Sequence, residues 1–362
     1  MVLSAPARAA PFSAEQRAET ERILRREVET GVVPGICWSI GTASETLADG
    51  AVGLRTVSPD TPMRVSTRVA LASTSKQFTA GAIYLLHERG VISLDAPLAR
   101  YLPSYRYAAN ITLRQMLTMS SGISADTEAC EAPVDGRLDE AALLQRLDAM
   151  DLISRPGEHF SYSNCAYDLA GAVITKMSGL PFASFVDEEI FKPLRMADSY
   201  GAATRQVPDP DFAEGYAAEG TGWEPRSMTP GDKFFASGNL VSTAADMQRW
   251  NRALLNATLL SRKSLQEMFS VPALTSGART IYASGWFVEP GGLIWHGGAL
   301  DGYGTANVLV PATGHAITLL GNTEPGKRWK PWEVAREIYD ATGLGPMLPP
   351  FTPIIRTTLP DK

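Results

Sequence analysis

Ala72-Ser73-Thr74-Ser75-Lys76-Gln77-Phe78-Thr79-Ala80 is the stretch around which this chain is organised. A serine and a lysine three residues apart at the start of a helix lie on one face and can touch. A serine hydroxyl is a weak nucleophile until a base takes its proton. A lysine that burial deprives of its charge can be that base, or part of it. The helix N-terminus adds free N–H groups and a partial positive field beside the serine. The bland alternative is an N-cap serine followed by a solvated lysine. Against it, no other lysine in the chain has a serine three residues before it, and Gly81-Ala82-Ile83-Tyr84-Leu85-Leu86 continues as an apolar run that would keep Lys76 from water.

Outward from this stretch, the order of elements predicts an α+β architecture. Ser13 and Gln16 form a capping box that opens a helix to about residue 30, and residues 36–41 and 46–53 read as a hairpin. The middle of the chain is mostly helical, with helices over 112–119, 138–150, 165–178, 182–191 and 242–255. Residues 207–238 are rich in Pro, Gly and Asp, an irregular length of chain that is usually functional or disordered. The last third holds short strands over 283–289, 293–296, 305–310 and 317–321, and a closing helix over 332–342. The expectation is one antiparallel sheet built from both chain ends and flanked by helices, with a mostly helical lobe inserted into it. In domain terms this is a flexible N-terminus over 1–12, a single catalytic domain over 13–345 and a tail over 346–362. Within the domain, an α/β lobe covers about 13–65 and 280–345, and a helical lobe about 66–279. A cleft between two lobes is a favoured place for a site.

The 362 residues carry a net charge of −6, which argues against a nucleic-acid partner. No apolar run approaches the roughly 18 residues of a spanning helix. The three cysteines, Cys37, Cys130 and Cys165, have no metal-like spacing and read as buried or idle thiols. The four histidines form no His-x-x-x-His pair, so neither a zinc hydrolase nor any metal or other cofactor is expected. Ala7-Arg8-Ala9 reads either as the small-residue end of a trimmed export signal or as a frayed terminus, which leaves a soluble protein of the cytoplasm or the periplasm.

Nucleophilic chemistry needs more than Ser73 and Lys76. Tyr162-Ser163-Asn164 follows a Pro-Gly break and precedes a helix, where a tyrosine could shuttle protons and Asn164 could hold Lys76. A packing tyrosine and a helix N-cap would look the same. Trp295-His296-Gly297-Gly298-Ala299 could form a strand edge whose glycines admit a substrate, with the Ala299 N–H pointing into the site; a bulge or turn is the alternative.

Together, Ser-x-x-Lys, Tyr-x-Asn and His-Gly-Gly in this order resemble the penicillin-recognising serine hydrolases, the β-lactamase/transpeptidase-like group. The tyrosine version is similar to class C β-lactamases, D-alanyl-D-alanine carboxypeptidases and family VIII carboxylesterases. Residues 117–123, 155–164, 190–196 and 238–243 extend the likeness, which covers roughly Val33 to Thr323. The resemblance implies Ser73 as the acylated nucleophile and Lys76 with Tyr162 as managers of its proton. It implies Asn164 as the residue that orders the network, the N–H groups of Ser73 and Ala299 as oxyanion hole, and His296, Gly297 and Gly298 as substrate-binding. Two departures stand out. Met119-Ser120-Ser121 replaces the commoner His-Thr-Ser, and His296 stands where many relatives carry lysine.

A lysine there helps hold a substrate carboxylate. A histidine with an ordinary pKa near 6.5 is mostly neutral at pH 7 and gains charge toward pH 6. The expectation is therefore a serine hydrolase working through an acyl-enzyme on a small ester or amide, carboxylesterase-like. The alternatives are a D-amino-acid peptidase or amidase, a weak β-lactamase, an acyltransferase, and a penicillin-binding sensor without turnover. No Gly-x-Ser-x-Gly is present, which counts against an α/β-hydrolase. Tyr216, Trp223, Phe234, Phe235 and Tyr303 are the aromatic candidates for an acyl pocket.

Overall fold

The structure is a computed structural model that describes residues 12–124, 140–202, 209–220, 222–226, 235–326 and 328–348. The chain opens with α1 (Ala14–Glu29), started by the Ser13–Gln16 capping box, and then the strands β1 (Gly35–Thr42), β2 (Thr46–Thr56) and β3 (Thr61–Pro62). After β4 (Val69–Ala70) comes a single 3₁₀ turn, Ala72–Ser75, that runs straight into α2 (Lys76–Glu88). The helices α3 (Leu113–Leu117), α4 (Glu140–Asp148), α5 (Asn164–Ser178) and α6 (Phe182–Val186) follow; α6 continues as one π turn to Phe191. Short strands β5 (Tyr200–Gly201), β6 (Gly215–Glu219), β7 (Gly222–Arg226) and β8 (Leu240–Ser242) lead to α7 (Ala244–Asn256) and α8 (Arg262–Met268). The chain closes with β9 (Phe287–Val288), β10 (Ile294–Leu300), β11 (Tyr303–Val310), β12 (His315–Gly321) and α9 (Pro331–Ala341).

The main sheet has the order β3-β2-β1-β12-β11-β10-β9, so the two chain ends meet in its centre. There β1 runs antiparallel to β12, with Ile36 opposite Gly321 and Trp38 opposite Leu319. Strand alternation sorts the faces. Trp38 points toward α1, where the Arg17 guanidinium lies over its ring. Ser39 points the other way and donates to the Ala244 carbonyl at the start of α7. Along that second face Thr318 donates to Asn307 Oδ1 at 2.8 Å, and Asn307 exchanges amide hydrogen bonds with Asn251 of α7. Asn307 also donates to Gln77 Oε1 of α2 at 3.0 Å. Polar groups buried in this way hold only when paired, so this seam fixes how α7 and α2 sit on the sheet.

Two elements were not expected from sequence: the β6–β7 hairpin, which emerges from the irregular stretch, and α8. Among the described residues no single helix is long and apolar enough to cross a membrane. Cys37 is a buried free thiol, as expected, but Cys165 is disulfide-bonded, which corrects its reading as an idle thiol; Cys130 lies outside the described residues.

Candidate active site

The Ser73 turn is pressed against the sheet by its neighbours. Ala72 has φ 49°, a left-handed conformation unusual for a residue with a Cβ, and it immediately precedes Ser73. Thr305 of β11 holds this turn twice: its hydroxyl donates to the Leu71 carbonyl at 2.9 Å and lies 2.9 Å from the Thr74 hydroxyl. Gly298 of β10 belongs to the same contact, since a Cβ there would overlap the Leu71 carbonyl and the Thr305 hydroxyl. Gly297 faces away, and a Cβ on it would meet the Trp332 ring at 2.9 Å. At these glycines β10 packs closely on the Leu71–Ala72 backbone and on α9.

Lys76 is fully buried at the first position of α2. Its Nζ lies 3.1 Å from Ser73 Oγ and donates to Asn164 Oδ1 at 2.7 Å and to the Ser237 carbonyl at 2.8 Å. It also sits 5.0 Å above the Tyr162 ring centre and 5.6 Å from that of Tyr167. Burial pushes its pKa down to about 7, and the negative charge of Asp168 opposes that shift. A neutral amine has two N–H donors and one lone pair. Asn164 and Ser237 take the donors, which leaves the lone pair for the Ser73 hydroxyl.

Tyr162 and Asn164 arrive together at the start of α5. Ser163 is the true N-cap: its hydroxyl accepts from the Ala166 N–H and donates to the Ser124 carbonyl. Asn164 is therefore the first helical residue, with its side chain available to Lys76. The loop beneath is fixed by Ser161 N–H bonding to the Met119 carbonyl at 2.8 Å, and Met119 itself has φ 57°. The Tyr167 hydroxyl donates to the Leu117 carbonyl at 2.7 Å. The loop in which Met119 departs from the commoner pattern thus supports the tyrosine segment.

His296 shares the site-facing side of β10 with Gly298 but is only 1% exposed. Its Nδ1 is 2.7 Å from the Gly297 carbonyl, an acceptor, so Nδ1 carries the proton. Its Nε2 then accepts from the Tyr282 hydroxyl at 2.9 Å. Burial, with the nearby Lys76 charge second, drives its pKa down to about 3. The expected charging of His296 toward pH 6 therefore does not occur, and both ring nitrogens are committed to protein. Ala299, the next side chain but two, is exposed at the strand edge.

The aromatic candidates divide. Tyr216 and Tyr303 are buried, with the Tyr216 hydroxyl against Glu214 and the Val57 N–H and the Tyr303 hydroxyl on the Ala213 carbonyl. Phe235 packs edge-on against Phe182. Trp223 is half-buried on β7, and Phe234 lies outside the described residues. Three residues of this site were missed from sequence: Ser237 and Asp168 beside Lys76, and Tyr282 on His296. A signal existed for Asp168, an acid inside the otherwise mostly apolar run Cys165–Ile174 of α5. Ser237 and Tyr282 reach the site only through long-range packing.

The family model described as Beta-lactamase matches residues 20–339. The chain belongs to the beta-lactamase family. Within that family, it is 25% identical over 320 residues to Protein flp of Staphylococcus aureus (strain N315), covering 85% of this chain and 63% of that one. The chain thus spans under two thirds of the length of that relative. Among solved structures, the octameric penicillin-binding protein homologue from Pyrococcus abyssi superposes with a TM-score of 0.78 at 24% identity, over 91% of this chain and 77% of its own. The D-amino acid amidase from Ochrobactrum anthropi SV3, in complex with L-phenylalanine, superposes with a TM-score of 0.72 at 25% identity, over 86% and 93%. The beta-lactamase/transpeptidase-like fold follows.

Proposed function

We propose that this protein is a serine acyl-hydrolase of carboxylesterase-like specificity, with Ser73 as nucleophile and Lys76 as its base. The observation that carries the reading is the Lys76 amine, stripped of water and 3.1 Å from Ser73 Oγ, with both of its N–H groups taken by Asn164 and Ser237. Ser73 Oγ attacks the carbonyl carbon and its proton passes to Lys76. The carbonyl electron pair moves onto the oxygen, which the N–H groups of Ser73 and Ala299 receive. Collapse re-forms the carbonyl and breaks the bond to the leaving group, which takes the proton by way of Lys76 and Tyr162. Water then repeats the attack, releases the acid and restores Ser73.

Neutral, buried His296 supports substrates without a carboxylate beside the scissile bond. A second reading, hydrolysis of amides of D-amino acids, is favoured by the likeness to the Ochrobactrum amidase. Such substrates likewise present no carboxylate at that place. The test is labelling by a serine-directed phosphonate, followed by a panel of p-nitrophenyl esters, D-aminoacyl amides and a chromogenic cephalosporin. Ser73→Ala should abolish labelling and turnover. A Ser73→Ala protein that still labels would move the nucleophile elsewhere, and a wild type that prefers the cephalosporin would replace the esterase reading.

A further inference from the structure

The apolar stretch of α5 carries one acid, Asp168, one helical turn beyond Asn164 and fully buried. Its Oδ1 accepts the Ser237 N–H at 2.8 Å. Its Oδ2 has no hydrogen-bond partner among the described residues. The carbonyl of the same Ser237 accepts from Lys76 Nζ at 2.8 Å. One residue therefore joins a buried carboxylate to the buried amine. Burying a carboxylate with one oxygen unfilled is costly, and packing alone would be served by an aliphatic residue. Burial raises its pKa, and the nearby Lys76 charge favours the ionised form.

We infer that Asp168 is a positioning residue for the Ser73–Lys76 pair: it fixes Ser237 so that the Ser237 carbonyl holds the amine, and its negative charge balances the ammonium that Lys76 becomes on taking the Ser73 proton. The inference rests on the reading of Ser73 as nucleophile and Lys76 as base. In the step concerned, the Ser73 O–H bond breaks and a Lys76 N–H bond forms; Asp168 acts in its ionised form, which prevails above about pH 6 because burial raises its pKa to about that value. Of the other titratable groups around the amine, Tyr167, Tyr282 and His296 supply no such charge. Tyr162 and Tyr167 face it from the start of α5, and Tyr282 and His296 lie on the sheet side. Burial holds the Tyr167 and Tyr282 hydroxyls protonated and the His296 ring neutral.

Asp168→Asn keeps an acceptor for the Ser237 N–H and removes only the charge. The measurement is kcat/KM for a neutral p-nitrophenyl ester from about pH 5 to about pH 9 in wild type, Asp168→Asn and Ser73→Ala. Loss of a close opposite charge should move the acid limb of Asp168→Asn to lower pH by about one unit. Without the charge that stabilises the ammonium, the rate above the limb should fall at least about tenfold. A limb that stays at the wild-type pH overturns the inference whether or not the rate falls, because a purely structural role lowers the rate without moving the limb. Activity that survives Ser73→Ala instead overturns the reading beneath it. If Asp168→Asn does not fold, the Ser73→Ala protein carries the test through ¹⁵N NMR of its lysine side chains. The Lys76 signal must then show a second inflection from ionisation of a neighbouring carboxylate, and a single inflection overturns the inference.

Discussion

Lys76 Nζ donates to Asn164 Oδ1 at 2.7 Å, a bond between residues 88 apart in the chain that joins the first turn of α2 to the first turn of α5. It holds the amine in one orientation, with its third valence toward Ser73. Removal of the amide should therefore loosen the base without removing it. Asn164→Ala should slow acylation by about tenfold to a hundredfold at every pH, the range of a misplaced acid–base group. The check is the single-turnover rate of phosphonate labelling. A mutant that labels at the wild-type rate would make Asn164 a packing residue.

The pH at which the base works follows from burial. With the Lys76 pKa lowered to about 7, kcat/KM for a neutral ester should fall as pH drops through about 7, because a protonated amine cannot accept the Ser73 proton. Lys76→Arg keeps a cation that does not deprotonate. It should lose at least about a hundredfold across the whole range, with no limb left to titrate. An arginine variant with the wild-type profile would assign the proton to another group.

His296 makes a contrasting prediction. The bond from Tyr282 and a pKa near 3 keep it neutral through the neutral range, so the ratio of β-lactam to ester kcat/KM should not change between pH 6 and pH 8 on account of His296. A histidine that charged near pH 6 would tilt the ratio toward the carboxylate-bearing substrate as pH falls. His296→Lys should not create a carboxylate anchor. It places an ammonium among Tyr282, Phe287 and Tyr162 with no carboxylate partner, and an uncompensated buried charge costs on the order of 3 kcal/mol. Its midpoint in denaturant should fall accordingly.

The same residue sets a stability trend. His296 has a folded pKa below its unfolded value of about 6.5, so between about 6.5 and about 3 the unfolded chain binds more protons than the folded one. Stability should drop as pH falls through that window and be unaffected by this group above it. Urea denaturation of wild type and His296→Gln at several pH values separates the contribution. The glutamine variant should show the shallower slope, and equal slopes would mean that His296 titrates as freely when folded as when unfolded.

Much of the fold was legible because its elements carry local signatures: a capping box before α1, a glycine stop after α5, and strands at both ends with glycines between them. The elements that escaped lack them. In α8 the residues Arg262-Lys263-Ser264-Leu265-Gln266-Glu267-Met268 bury only Ser264, Leu265 and Met268, too few for an apolar stripe. The β6–β7 hairpin includes Pro225 and lies in a Pro- and Gly-rich context that masks it. In the site, Ser73, Lys76, Tyr162 and Asn164 stood out by motif spacing. Tyr282 and Ser237 could not, since nothing in their own neighbourhood records that the sheet will lay one on His296 and a loop will lay the other on Lys76. The histidine itself was visible, but its protonation state depends on those absent partners.

Gly298 tests whether the strand is built for the nucleophile turn or for a ligand. A Cβ on it would run into the Leu71 carbonyl and the Thr305 hydroxyl, both backing the turn that carries Ser73. Neither can yield freely, because Leu71 is tied by its N–H to the Leu240 carbonyl at 2.8 Å and Thr305 is bonded on both sides of the turn. Gly298→Ala should therefore push β10 off the turn, costing about 1–3 kcal/mol of stability as an overpacked core position. It should also cost more than tenfold in acylation, since small displacements of a nucleophile are expensive. Gly297→Ala meets only the Trp332 ring on the opposite face, and should destabilise without a matching loss of labelling rate. The paired measurement is urea unfolding beside phosphonate labelling for both variants. Equal labelling rates in the two would show that Gly298 does not position Ser73.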